Sequence, residues 1–165
     1  MTTDQRQTVS VTDLARFAIF SDLEKDDIVE FLRTAKVRSY SPMRPSIFQQ
    51  GDPGDGMYIV LSGEVDIYSL DTAKRKHLIG TLGEGEFFGE MSLIEEKGRA
   101  ASAEAKGEAR LIFLGRDAFT QMQKTQPAVL NRILLRMMRE MSHRLRLLDQ
   151  RYVTSKAALG VMQGF

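Results

Sequence analysis

The stretch Phe87-Phe88-Gly89-Glu90-Met91-Ser92-Leu93-Ile94-Glu95-Glu96-Lys97-Gly98-Arg99-Ala100-Ala101-Ser102 decides how this chain is read. Gly89 allows backbone to approach a ligand closely. The short apolar run after it starts a helical turn, and the free N–H groups of such a turn can point at an anion. The Glu90 carboxylate lies beside that turn. Arg99 follows nine residues later, with two alanines behind it. A carboxylate can accept from sugar hydroxyls, and a guanidinium fork donates two parallel bonds to two phosphate oxygens. The set fits a pocket for a cyclic phosphate ester. The bland alternative is an exposed Glu90–Arg99 ion pair, which would be worth little.

Working outward, the texture on either side is β-rich. From Lys36 the chain breaks into short apolar runs punctuated by Gly, Pro and Asp: Met57–Leu61, Val65–Leu70, His77–Leu82, Ala100–Ala105 and Leu111–Leu114. That spacing predicts an all-β sandwich or barrel over 36–114. The quoted stretch interrupts the strands, where a binding loop on a rigid scaffold belongs. Helices flank it. Residues 12–34 read as helical, with Ser21 and Glu24 spaced as a capping box and Ile28, Val29, Phe31 and Leu32 as an apolar face. Residues 116–125 predict a short helix, and Pro127 suits the first turn of a long one over 127–150. Leu130, Leu134, Met137, Met141, Leu145, Leu148 and Tyr152 fall on one face of it, and Ile133, Met138 and Leu147 broaden the stripe. The stripe outlasts what a small β body can cover, which predicts a homodimer through this helix. Residues 128–156 hold seven basic residues against two acidic ones. Such a run is usually a solvated face, and the other reading is an acidic partner. Residues 1–10 are polar and expected to be flexible. Residues 151–165 are taken as a C-terminal tail.

The whole pattern resembles the phosphate-binding cassette of the cyclic-nucleotide-binding domains, the family of the bacterial catabolite activator protein and the regulatory subunits of cAMP-dependent protein kinase. Gly51-Asp52-Pro53-Gly54-Asp55, then Met57-Tyr58-Ile59-Val60-Leu61-Ser62-Gly63-Glu64-Val65, is similar to the family's earlier strand-turn-strand segment. The resemblance implies an α+β domain over 11–150: an eight-stranded antiparallel β-roll of the jelly-roll type, N-terminal helices and a long C-terminal helix. It implies that Glu90 holds the ribose 2′-hydroxyl and Arg99 the cyclic phosphate. Backbone near Gly89, Met91, Ser92, Ala100 and Ala101 would complete the cradle, and Phe87, Ile67 and Ile79 would form apolar walls. Ala100 lacks the hydroxyl with which related domains hold a guanine amino group, so cAMP is favoured over cGMP. The lid would come from the long helix, at Arg144 and Leu145 on one alignment or Leu148 and Asp149 on the other.

Composition excludes several classes. At net charge +1 the balance argues for neither nucleic acid nor membrane. No apolar run approaches the roughly 18 residues that span a bilayer, and the polar N-terminus lacks an apolar signal core. The expected setting is cytoplasmic. There is no cysteine, and the two histidines, His77 and His143, lie far apart, so neither a thiol nucleophile nor a metal cluster is expected. Only about fifteen residues follow Gln150, too few for a helix-turn-helix, so direct DNA binding is not expected. Three readings stay open: a nucleotide sensor that relays binding through its long helix to a protein effector or an oligomer, a dimerisation or adaptor module that uses the β-roll as scaffold without binding nucleotide, and a regulatory fragment of a larger protein. An enzyme is not expected.

Overall fold

Every strand pairing from Lys36 onward is antiparallel, and the pairings close into two four-stranded sheets. The computed structural model describes residues 9–95 and 97–162. Residues 1–8 of the expected flexible start lie outside the described residues. The strands are β1 (Lys36–Tyr40), β2 (Ser46–Phe48), β3 (Gly56–Ser62), β4 (Val65–Leu70), β5 (Lys76–Leu82), β6 (Phe87–Phe88), β7 (Ser102–Ala105) and β8 (Ala109–Gly115). One sheet runs β1-β8-β3-β6, the other β2-β7-β4-β5. The helices are α1 (Val11–Leu14), a 3-10 turn at Ala18–Phe20, α2 (Lys25–Thr34), α3 (Met91–Ile94), α4 (Arg116–Thr125) and α5 (Pro127–Met162).

Strand alternation sorts the core into two layers. Met57 and Ile59 of β3, Phe87 of β6, and Ile112 and Leu114 of β8 face the helices. There they pack with Leu14, Phe20, Ile28, Phe31, Met122, Leu130 and Ile133. Their neighbours Tyr58, Val60, Phe88, Leu111 and Phe113 face the other way and pack with Val65 and Ala103 inside the roll. Strands β3 and β8 are therefore apolar on both faces, which is why they read as continuous hydrophobic runs. Each such side chain contributes about 1.5–3 kcal/mol on burial.

The helical region expected over 12–34 is broken. Ser21 does not cap a helix. Its hydroxyl donates to Ala18 O at 2.9 Å and closes the 3-10 turn that seats Phe20. The cap falls three residues later, where the Glu24 N–H donates to Asp27 Oδ2 at 3.1 Å. At the other end, α5 continues past 150 to Met162, because no proline and, before Gly160, no glycine interrupts it.

The basic face of α5 meets acids of its own chain. Arg136 grips the Asp22 carboxylate with two donors, Arg139 reaches the same carboxylate at 3.3 Å, and Arg132 reaches Asp27 at 2.9 Å. These bonds clamp the helix to the segment before α2 and to the first turn of α2. The Arg136 donors hold the Asp22 carboxyl below its ordinary range. A carboxylate with a depressed folded pKa stabilises above its unfolded pKa, and that stability is lost as pH falls through the folded value. Asp22→Asn therefore lowers the urea midpoint at pH 7. The gap from wild type closes as pH falls below the usual carboxylate range of about 4. A gap that stays constant into acid would show that the charge is not the source. Among the described residues no helix is long and apolar enough to cross a membrane.

Candidate ligand-binding site

A cleft of about 750 Å³ opens between the second sheet, the segment 89–101 and α5. Phe48, Ile67, Leu82 and Phe88 make its apolar side. Ile79 joins them by a register change. Ile67 pairs with Gly80 and Tyr68 with Leu78, so Ile79 is the extra residue of a β-bulge, a device that re-aims a side chain.

The polar end is organised around Arg99. Gly89 adopts φ +73, a left-handed conformation that glycine takes without strain. Its carbonyl accepts from Arg99 Nη1 at 3.1 Å and from the Ser92 hydroxyl at 2.7 Å. The Gly56 carbonyl accepts from the same two groups, at 2.7 Å and 3.0 Å. Arg99 Nη2 donates to Asp55 Oδ1 at 2.7 Å, and the guanidinium carbon sits 4.1 Å from the centre of the Phe48 ring. The backbone is clasped both ways: the Arg99 N–H donates to Asp52 O at 2.8 Å, and the Gly51 N–H donates to Arg99 O at 2.9 Å. The Gly51–Asp55 turn is thus the bracket that holds the arginine. The Arg99 side chain is only 2% exposed. Its ion pair is with Asp55, so the exposed Glu90–Arg99 pair weighed from the sequence is not what forms. One donor is left over: Arg99 Nε is buried and has no hydrogen-bond partner. A buried cationic donor without an acceptor is costly, and Arg99 borders the cleft.

Gly89, Glu90, Met91, Ser92, Arg99, Ala100, Ala101, Ile67 and Ile79 all border the cleft. Ser92 is turned inward, its hydroxyl on the two carbonyls and its N–H on Gly89 O at 3.3 Å. Phe87 departs from expectation. It faces the helix-side core, and its neighbour Phe88 takes the wall position, because adjacent strand residues point to opposite faces. Of the four lid candidates, Arg144 and Leu148 reach the cleft, joined by Leu147, while Leu145 and Asp149 do not border it. Arg144, Leu147 and Leu148 share a helix face, and 145 and 149 stand about 100° round the helix from 144 and 148. Arg144 donates to Phe87 O at 3.0 Å, lies 4.7 Å from the Phe87 ring centre and also borders a smaller cavity of about 290 Å³ behind α5. Phe48, Leu82, Phe88, Asp55 and Leu147 were missed. Alternation was the available signal for Phe88, and the Gly51–Asp55 motif for Asp55.

The sheet geometry and this loop match known proteins. The family model described as "Cyclic nucleotide-binding domain" matches residues 37–126. The chain is 32% identical over 148 residues to the cyclic AMP receptor protein of Thermus thermophilus, covering 88% of this chain and 68% of that protein. It is 34% identical over 76 residues to a cAMP-dependent protein kinase regulatory subunit of Blastocladiella emersonii, covering 46% of this chain and 19% of that protein. A crystal structure of a cyclic nucleotide-binding domain from Methylobacillus flagellatus superposes with a TM-score of 0.76 at 25% identity, covering 88% of this chain and 81% of that one.

Proposed function

Because the chain belongs to the cyclic nucleotide-binding domain family, we propose that its cleft takes a cyclic nucleotide, cAMP before cGMP, and that α5 carries occupancy outward to a partner. The observation that carries this reading is the unpartnered, buried Nε of Arg99, a residue at the polar end of the cleft opposite its apolar wall. The cyclic phosphate supplies the missing acceptor. Glu90, at the head of α3 and bordering the cleft, takes the ribose 2′-hydroxyl. The base lies toward Phe88, Ile67, Ile79 and the α5 residues Arg144, Leu147 and Leu148. Ala100 offers no hydroxyl to a guanine amino group. The named relatives include a receptor and a regulatory subunit, and we read this chain as a cytoplasmic regulator rather than an enzyme. Ligand binding shifts α5 only if the ligand contacts one position of the helix better than another; Arg144, Leu147 and Leu148 are the residues able to make that difference.

The test is isothermal titration calorimetry with cAMP, then cGMP. Micromolar or tighter cAMP binding, with cGMP weaker and 2′-deoxy-cAMP weaker still, supports the assignment. No heat with either nucleotide, and no nucleotide released on denaturation by mass spectrometry, defeats it.

The outer stripe of α5 supports a homodimer. Met138, Met141, Leu145, Leu148 and Tyr152 are all exposed, at alternating spacings of three and four, which is the pattern of a two-helix seam. Buried Leu130, Ile133 and Met137 show that the first half of the stripe packs on its own body. Sedimentation equilibrium is expected to return a dimer that Leu145→Glu converts to monomer. A wild-type monomer at micromolar concentration removes the seam.

A further inference from the structure

A third charge stands behind Arg99. Arg38 on β1 donates from Nη1 to the Tyr58 hydroxyl at 2.8 Å, and its guanidinium carbon lies 3.5 Å from the centre of the Phe113 ring. Its Nη2 lies 3.9 Å from Asp55 Oδ2, while Asp55 Oδ1 accepts from Arg99 at 2.7 Å. One carboxylate is therefore set between two guanidiniums, one facing each oxygen. Burial pushes the Tyr58 hydroxyl pKa up, so the tyrosine is neutral and does not compensate Arg38. Arg116 is directed elsewhere, onto the Gly54 and Ser92 carbonyls.

The charge arithmetic has a consequence for an anion. With Asp55 alone, Arg99 is half of a neutral ion pair, and a phosphodiester bearing a single negative charge would meet an arginine already balanced by a carboxylate. We propose that Arg38 is a positioning residue for phosphate binding: it neutralises Asp55, so that the buried Arg99 keeps an uncompensated positive charge for the ligand. This rests on the phosphate reading of the cleft. Asp55 then serves as a strut that fixes the Arg99 fork without cancelling it.

The experiment is calorimetric titration of cAMP into wild type, Arg38→Gln, Arg38→Lys and the double variant Arg38→Gln/Asp55→Asn. Arg38→Gln is expected to weaken binding by about fivefold, the size of one partly screened charge interaction. Arg38→Lys keeps the charge and stays within about twofold of wild type. The double variant recovers most of the loss, because the asparagine oxygen still accepts from Arg99 but carries no charge. If Arg38→Gln does not fold, Arg38→Met, which keeps the apolar contact with Phe113, replaces it in both the single and the double variant. Three results overturn the proposal: a neutral variant that binds like wild type, a lysine variant as weak as the neutral one, or a double variant no tighter than the single. The last would make Arg38 a packing residue. Wild type that binds no cAMP is a separate outcome, visible before any variant is made: it defeats the nucleotide reading itself and this proposal with it.

Discussion

Replacing Arg99 by leucine abolishes cAMP binding while leaving a folded protein. Charge-assisted hydrogen bonds contribute about 1.5–3 kcal/mol each. Losing the Nε donor to phosphate together with the charge behind it predicts a fall in affinity of roughly a hundredfold. Leucine preserves the apolar contact with Phe48, but it leaves the Gly56 and Gly89 carbonyls without the Nη1 donor and Asp55 without its buried partner. Some stability is lost with them. Arg99→Lys separates charge from shape: it keeps the positive charge, loses the planar fork, and so retains part of the affinity. Calorimetry reads binding, and urea denaturation at the same pH confirms that the variants are folded. Arg99→Leu protein that binds cAMP within threefold of wild type would sink the assignment of the phosphate end.

Gly56→Ala has the largest expected effect on stability. A β-carbon at Gly56 would stand 2.3 Å from Leu114 O and 2.8 Å from Gly115 Cα. These are backbone atoms of the paired strand, with Gly56 opposite Gly115, and they cannot swing aside as a side-chain tip can. Overpacking of this kind costs about 1–3 kcal/mol and occasionally more, so a loss of about 3 kcal/mol is expected by urea denaturation. The Gly56 carbonyl at this corner accepts from Arg99 and Ser92. A shift of β3 away from β8 therefore moves the arginine, and cAMP affinity falls in whatever protein stays folded. A loss below about 1 kcal/mol would mean that the strand ends yield more easily than the close contact implies.

The sheets were legible because their residues obey local rules. The double-faced run from Met57 reports burial directly, and the bounds of α4 follow from its own sequence. The cassette was legible because Gly89, Glu90 and Arg99 stand close together in the chain. What was hidden depends on residues far apart in sequence. Asp55 meets Arg99 across 44 positions, with only the Gly51–Asp55 motif to mark it, and Arg38 reaches Asp55 from β1 with nothing local to mark it. Phe48 sits on a three-residue strand too short to show a period. The basic run on α5 was ambiguous for the same reason, because its acids, Asp22 and Asp27, lie more than 100 residues upstream. Phe87 was misplaced by one residue, and in a strand one residue reverses the face.

The clamp at Asp22 gives the long helix a fulcrum. From Arg136 to Met162 is 26 residues, a rod of about 39 Å. Arg144 and Leu148, where the cleft touches it, lie about 12–18 Å along that rod. For a rigid helix pivoting at the clamp, a displacement of about 1 Å at the cleft becomes about 2–3 Å at the far end. The ratio is fixed by where the guanidinium grips, so a ligand too small to push anything far can still be read at a distance.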